Sequence, residues 1–210
     1  ILSFVSDRLR HENNENVLSA VGTMHGRAVG RLLDSDLLTL LDGFSKSVPG
    51  AGSNATFTTI AGAVSYLRTD NNSTFGPAPS RPNAVLHPEQ IRRLTQELAG
   101  IQAGGTGMPA QTVPEGPSAD IISSYWRGND PVFGVPIYED GNISRDGSGD
   151  SKGGVFAMEA LALAMQKEIT AEEERDASLR GTEIVTTGTW GESEIVDTWG
   201  VEILSATDAV

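Results

Sequence analysis

The sequence predicts an α+β fold, and three observations support this class. Apolar residues recur every three or four positions from about Ser6 to Gly43, which is the spacing of an amphipathic helix. Short helix-like and strand-like patterns mix through the middle of the chain. The run from Glu183 to Leu204 is rich in β-forming residues. With 210 residues, the chain can bury a sizeable core as one domain or two closely joined ones.

The first predicted element is a long helix over Ser6–Leu33. Its length would be about 40 Å at ~1.5 Å per residue. Asp34 and Asp36 predict a break, and Gly43 predicts the C-terminal stop of the short helical run that follows. The apolar stripe of the long helix consists of Leu18, Val21, His25, Ala28 and Leu32, widened by Val29 and Leu33.

Three glycines lie four residues apart on one ridge of this helix, at Gly22, Gly26 and Gly30. Each costs roughly 1 kcal/mol relative to alanine in a helix interior. We therefore expect the backbone of another element to approach this ridge closely. His25 lies on the apolar stripe, and we expect it to be partly buried and hydrogen-bonded rather than a ligand.

The middle of the chain predicts two further helices and a strand. One helix is capped by Thr58 or Thr59 and follows a Gly/Ser/Pro-rich loop. A short buried strand, Asn83–His87, precedes a helix that begins at Pro88. His87 lies near Glu89, which allows an acid–base interpretation. The simpler expectation is a strand end that leads into the helix.

The next segments predict a loop, a helix, a strand and a turn region. Gly100–Pro117 is a long loop whose length indicates function or disorder, and Ala119–Trp126 predicts a short helix. Val132–Tyr138 contains a proline and predicts an edge strand. Glu139–Gly154 matches neither a calcium-binding loop nor a phosphate-binding loop in its glycine positions, so we expect a solvated turn region.

The stretch Gly153–Thr182 changes abruptly from apolar to charged residues. Its apolar half predicts either a strand entering a short helix or one amphipathic helix, and in both cases it should be covered. Its charged half should lie in solvent or against complementary charge. Two β-rich runs follow, Glu183–Trp190 and Glu194–Leu204, and they predict a hairpin around Gly191–Ser193.

The same stretch carries a resemblance to a known family. Gly154–Ala164 reads GVFAMEALALA, and it is followed by ERDAS at Glu174–Ser178 and RGT at Arg180–Thr182. These residues resemble the C-terminal signature of tailed-phage major capsid proteins of the Hong Kong 97 fold. The resemblance implies that the long helix is the spine of a peripheral domain.

This family likeness also implies a domain organisation. Residues 1–44 would hold the spine helix and the start of the peripheral domain, 45–143 the axial domain, and 144–210 the return into the peripheral domain. Family members carry an N-terminal arm and an extended β-hairpin loop before the spine helix. Neither can be placed before Ile1.

A structural function follows from the resemblance. The chain would assemble through pentamers and hexamers into an icosahedral shell that encloses double-stranded DNA without sequence-specific binding. The shell would be formed in the host cytoplasm and become part of the virion, and a decoration protein, a portal and a scaffold are further candidate partners. One alternative is an encapsulin-like nanocompartment. Another, of a different class, is a small hydrolase or ligand-binding domain with Gly100–Pro117 as its lid.

Composition argues against several kinds of site. The chain has no cysteine and three histidines, so thiolate metal sites and thiol nucleophiles are excluded. Neither a G-x-S-x-G elbow nor a dinucleotide fingerprint occurs. The net charge of −13 argues against a surface that grips phosphate backbones, and no apolar run is long enough for a membrane span. We predict no enzyme activity, no cofactor, no metal and no membrane partner.

The candidate functional residues are five charged side chains in the second half of the Gly153–Thr182 stretch. They are candidates for charge pairs between subunits, and the alternative is a purely intrachain or solvated role. Because exposed ion pairs contribute little affinity, we expect them to set the register of assembly more than its strength. The five residues are Glu172, Glu173, Glu174, Arg175 and Arg180.

Overall fold

The computed structural model describes residues 1–12, 16–69, 74–98 and 133–206. The chain forms two compact units. The first comprises Ile1–Asp36 and Leu163–Glu192, and the second comprises Leu37–Ala162 and Ser193–Val210. The division into peripheral and axial domains stays a prediction.

The first unit contains a three-stranded sheet in the order β1-β7-β6. Its strands are β1 (Leu2–Ser6), β6 (Leu161–Asp176) and β7 (Gly181–Glu194). Strand β1 runs antiparallel to β7, with Leu2 opposite Val185. Only residues 177–180 join β6 to β7, which is too short for a parallel crossover, so these strands form a hairpin.

The long helix exists, with bounds that differ from the prediction. Helix α1 spans Asp7–Glu12, helix α2 spans Val17–Thr39, and a 3₁₀ turn follows at Leu40–Gly43. Residues before Asp7 form β1, because they pair with a strand almost 180 positions away in sequence. Helix α2 begins after Asn16, whose side chain accepts the Ser19 N–H at 3.4 Å.

The predicted break at Asp34 and Asp36 is wrong, since α2 continues to Thr39. Asp36 accepts a hydrogen bond from the Trp190 indole N–H at 3.2 Å. Such a tertiary contact offsets the modest cost of aspartate in a helix. The predicted stop at Gly43 is confirmed.

The expected close packing over the glycine ridge is also wrong for the single chain. Within the described residues, a Cβ atom added to Gly22, Gly26 or Gly30 would meet nothing within 4 Å. Of the residues of α2, all of which are described, only His25 and Val29 are buried. The buried stripe is therefore narrower than the apolar pattern suggests.

The second unit contains a five-stranded sheet in the order β2-β8-β5-β3-β4. Its strands are β2 (Ser47–Pro49), β3 (Asn83–Leu86), β4 (Ile137–Glu139), β5 (Asp150–Phe156) and β8 (Gly200–Ala206). The pairs β2–β8 and β3–β4 are parallel, and β5 runs antiparallel to both of its neighbours. The expected edge strand exists as β4, but it begins at Ile137, after Pro136, rather than at Val132.

Two helices accompany this sheet. Helix α3 spans Phe57–Arg68 and helix α4 spans Pro88–Leu98, so the predicted start at Pro88 is confirmed. The cap of α3 is Thr56, not Thr58 or Thr59, and it forms a reciprocal capping box with Thr59. The apolar core of the unit includes Ile60, Leu67, Leu86, Ile91, Leu94, Ile137, Val155, Val201 and Ile203.

The predicted C-terminal hairpin is wrong. Strand β7 pairs with β1 and β6, whereas β8 pairs with β2 and β5 in the other sheet. Trp190 and Trp199 occupy similar Thr-Trp-Gly triplets but have different partners. Trp190 bonds to Asp36, and the Trp199 indole N–H donates to the Gly76 carbonyl oxygen at 3.0 Å. The hairpin that does form is β6–β7.

The turn region predicted for Glu139–Gly154 is correct only in its first part. From Asp150 onward the chain is β5, a central strand in which Ser151 is fully buried. Gly153 and Gly154 of β5 have no room for a side chain, because other residues approach both closely. A Cβ at Gly153 would lie 2.7 Å from Gln90 Oε1, and one at Gly154 would lie 3.0 Å from a Leu41 methyl carbon.

Two predicted elements lie outside the described residues, namely the Gly100–Pro117 loop and the Ala119–Trp126 helix. Within the ranges that are described, the chain contains no helix with the length and apolar character that a bilayer span requires.

Candidate intersubunit surface

Strand β6 lies at a free edge of the three-stranded sheet. Among the described residues, β7 is its one strand neighbour. The strand has 16 residues, which corresponds to roughly 53 Å at ~3.3 Å per residue. All of its side chains except those of Leu161, Ala162 and Asp176 are exposed. A long free edge presents unpaired backbone N–H and C=O groups to another chain.

The predicted glutamates lie on this edge strand. Glu172, Glu173 and Glu174 are consecutive and exposed, so their side chains alternate between the two faces of the sheet. Glu172 and Glu173 border an open groove of about 530 Å³ on the first unit. The groove is also bordered by Arg10, Asn16, Leu18, Ser19, Gly22, Ala171 and Ile184.

Arg175 has a partner within the chain. Its guanidinium donates two hydrogen bonds to the Asp7 carboxylate, at 2.8 and 2.9 Å. The bond from Arg175 is the largest cause of a lowered pKa at Asp7, and the same bond raises the pKa of Arg175. The Asp7 backbone N–H also donates to the Arg180 carbonyl oxygen at 2.9 Å. The start of α1 is therefore bonded to both ends of the β6–β7 turn.

Arg180 closes that turn with a left-handed backbone conformation, at φ 55°. The turn is organised by Asp176, whose Oδ1 accepts the backbone N–H groups of Ser178 and Leu179 at 2.7 and 3.1 Å. The hydroxyl of Ser178 donates to the same oxygen and is the largest cause of the lowered pKa of Asp176. A non-glycine residue at positive φ is uncommon, and here it is the last residue before β7.

Exposed apolar side chains share the edge strand with these charges. Leu163, Met165 and Ile169 occupy odd positions of β6 and therefore lie on one face of the sheet. They are 42%, 43% and 39% exposed. The expectation that the apolar half of this stretch is covered is thus wrong for these side chains in the single chain. The buried part of that half is Val155, Ala157 and Ala160.

His25 joins α2 to the two strands below it, as expected of a buried and hydrogen-bonded histidine. Its Nε2 lies 2.7 Å from the Ser3 hydroxyl, and its Nδ1 lies 3.1 Å from the Thr186 hydroxyl. The sequence predicted that His25 is partly buried and hydrogen-bonded, but it did not predict which residues it bonds to. The pairing of Asp7 with Arg175 could not be predicted from local sequence either, because the two residues are 168 positions apart.

His87, the histidine for which the sequence allowed an acid–base interpretation, is also held by structural contacts. His87 is buried where β3 ends, and its Nδ1 accepts the Glu89 backbone N–H at 3.1 Å. Its Nε2 lies 3.3 Å from Arg145 Nε. Burial, followed by the charge of Arg145, lowers the pKa of His87. Across the described ranges, no group of three or more metal-ligating side chains comes together.

Comparison with known proteins gives a structural likeness without a close sequence relative. Neither a family model nor a curated protein matches the chain. The capsid of Ralstonia phage GP4 matches with a TM-score of 0.72 at 11% identity, over 100% of this chain and 73% of that chain. A Mycobacterium phage Che8 chain matches with a TM-score of 0.67 at 19% identity, over 97% and 68% respectively.

A non-viral shell protein is also similar. The SrpI encapsulin of Synechococcus elongatus matches with a TM-score of 0.63 at 10% identity, over 97% of this chain and 71% of that chain. At such low identities these likenesses establish the fold alone. Together with the long helix, the edge hairpin and the two sheets, they show that this chain has the Hong Kong 97-type capsid fold.

Proposed function

We propose that this chain is a major capsid protein that assembles into an icosahedral shell around a viral genome. The observation that carries the proposal is the likeness to phage capsid structures over nearly the whole chain.

The mechanism is assembly by many copies of one subunit. Each interface is modest, and symmetry multiplies it into a closed container. Strand β6 supports this mechanism because it offers three features to a neighbour. These are a free backbone edge, an exposed apolar row at Leu163, Met165 and Ile169, and the acidic run Glu172–Glu174.

Within this proposal, Glu172, Glu173 and Glu174 contact cationic side chains of neighbouring copies. Arg175 and Arg180 belong to the same contact through the turn that they shape. The Asp7–Arg175 pair holds that turn to α1, so that the acidic run is presented in a fixed direction. Rim charges of this kind select register and partner more than they add affinity.

The assembled state has further proposed components. The copies form pentamers and hexamers, with 45–143 as an axial domain and with 1–44 and 144–210 as a peripheral domain. A decoration protein, a portal and a scaffold are candidate partners, and assembly takes place in the host cytoplasm before the virion is complete. The net charge of −13 is suited to enclosing DNA without strong adhesion to it.

A second candidate is an encapsulin-like compartment with protein cargo, and the likeness to the SrpI encapsulin favours it. The two functions differ in what the shell encloses. Native particles should therefore be isolated, treated with nuclease and analysed for protected DNA. Protected double-stranded DNA supports the capsid function, whereas particles that contain a second protein and no DNA support the compartment.

A further inference from the structure

Two acidic side chains of the second unit meet where the 3₁₀ turn after α2 lies near strand β8. Glu202 is in the middle of β8 and is only 6% exposed. Asp42 belongs to the turn Leu40–Gly43. Lys152 on β5 donates to Asp42 Oδ2 at 2.6 Å, and the hydroxyl of Ser47 on β2 is a further partner of the Glu202 carboxyl group. This pair is distinct from the intersubunit surface described above.

One oxygen of Glu202 lacks a partner. Among the described residues, its Oε1 is buried and accepts no hydrogen bond. A buried oxygen of an ionised carboxylate would carry charge without compensation, which is far more costly than leaving the carbonyl oxygen of a neutral acid unpaired. The geometry therefore favours the neutral form of Glu202.

The contact with Asp42 leads to the same assignment. Two carboxyl groups can hydrogen-bond to each other only if one of them carries a proton. Lys152 compensates the negative charge of Asp42 directly, so the proton belongs on Glu202. Burial is the largest cause of a raised pKa at Glu202, and the charge of Asp42 contributes in the same direction, whereas Ser47 and Lys152 act against it.

We propose that Glu202 binds a proton that it donates to Asp42, and that the chain Lys152–Asp42–Glu202 holds the 3₁₀ turn after α2 on the five-stranded sheet. A backbone bond lies beside this contact, since the Glu202 N–H donates to the carbonyl oxygen of Lys46, just before β2, at 2.8 Å. The turn after α2 thus carries a proton-dependent contact. The inference does not rest on the proposed capsid function.

The pH dependence has a definite sign. Because the pKa of Glu202 is raised in the folded chain, the folded state holds this proton more tightly than the unfolded state. The stabilisation is fully present below the ordinary glutamate pKa. It is lost as the pH rises through the raised pKa of Glu202.

The direct test is carbon NMR of the full chain with labelled glutamate carboxyl groups. Glu202→Gln identifies the resonance of Glu202 by its disappearance. We expect this resonance to titrate at a higher pH than an ordinary glutamate carboxyl group, to move to lower pH in Asp42→Asn, and to move to higher pH in Lys152→Met. Titration of Glu202 at the ordinary glutamate pKa, or a midpoint insensitive to Asp42→Asn, would overturn the proposal.

A second measurement covers the case in which a variant unfolds. The thermal midpoint of the wild-type chain is followed with pH and compared with that of Glu202→Gln, which retains a hydrogen-bond donor but does not titrate. The wild-type chain should lose stability with rising pH relative to this variant, and Glu174→Gln should behave like the wild type. Parallel pH profiles for wild type and Glu202→Gln would contradict the proposal.

Discussion

At the scale of single residues, the first unit is held by polar contacts between distant parts of the chain. His25 connects α2 to β1 and β7, and Arg175 connects β6 to Asp7 at the start of α1. The first contact is buried and the second is on the surface. The two should therefore differ in how strongly their loss affects stability.

We expect His25→Ala to lower the free energy of unfolding by about 2–4 kcal/mol, because it leaves a cavity and removes the partner of the buried Thr186 hydroxyl. Urea denaturation of the purified chain measures this change. The matched control is His11→Ala at an exposed position of α1, which should be within about 0.5 kcal/mol of wild type. Equal stability of the two variants would show that His25 is not a structural contact.

We expect Arg175→Glu to lower the thermal midpoint at neutral pH, because it places a carboxylate against Asp7. The double variant Asp7→Arg with Arg175→Glu should recover part of the loss by restoring an opposite-charge pair. The surface pair Arg8–Glu12 provides the control, since both side chains are largely exposed and Arg8→Glu should have a smaller effect. Circular dichroism measures all four midpoints, and no recovery in the double variant would argue against the pair.

The Asp7–Arg175 pair also predicts a pH dependence. The pKa of Asp7 is lowered in the folded chain, so its stabilisation is present above the ordinary aspartate pKa. It is lost as the pH falls through the lowered value. Asp7→Asn should remove this part of the acid dependence, and an unchanged acid limb of the stability profile would contradict the assignment.

At the scale of elements, local patterns predicted the helices and several strands but not their partners. The sequence predicted a cap at Thr58 or Thr59 and a helix start at Pro88, and α3 and α4 begin at Phe57 and Pro88. Strand β1 has only five residues and exists through pairing with β7. The two Thr-Trp-Gly triplets are alike in sequence, yet β7 and β8 belong to different sheets. Pairing between strands more than a hundred residues apart produces no periodic pattern in the sequence, so the sequence does not predict which strands pair.

For the candidate intersubunit surface too, the sequence predicts local properties but not long-range contacts. The charge and exposure of Glu172–Glu174 follow from the sequence pattern alone. The pairing of Arg175 with Asp7 does not, because it depends on where α1 lies relative to the β6–β7 turn. For the glycine ridge, the sequence predicted a contact that the single chain does not make: the spacing of Gly22, Gly26 and Gly30 suggested close packing, which is absent among the described residues.

Two glycines should respond in opposite ways to alanine. A Cβ at Gly200 would lie 2.0 Å from Phe44 Cε1, so Gly200→Ala should destabilise the chain by about 1–3 kcal/mol through overpacking. Gly26 in α2 has open space, so Gly26→Ala should stabilise the single chain by about 0.5–1 kcal/mol. Chemical denaturation compares them, and destabilisation by Gly26→Ala would mean that its surroundings are not open.

At the scale of the whole molecule, the fold and the exposed edge strand fit a subunit that is completed by its neighbours. Strand β6 leaves backbone groups, an apolar row and an acidic run uncovered in one chain. A shell built from many copies would cover surfaces of this kind. The proposed function therefore gives the long free edge of β6 a partner.

The role of the acidic run can be tested separately from folding. Glu174→Lys should reduce the yield of closed particles while the circular dichroism spectrum of the chain stays unchanged, because the side chain is exposed. Glu168→Lys makes the same charge change outside the acidic run on the same strand, and it should have a smaller effect. Normal particle yield from Glu174→Lys would remove the run from the intersubunit contact.

The proposed function is a shell, built from copies of this chain, around double-stranded DNA. Electron microscopy of native assemblies that contain the chain, combined with nuclease protection of their contents, tests it most directly. We expect closed icosahedral particles that protect double-stranded DNA. A stable monomer in native material, or closed particles that hold protein cargo and no DNA, would contradict it.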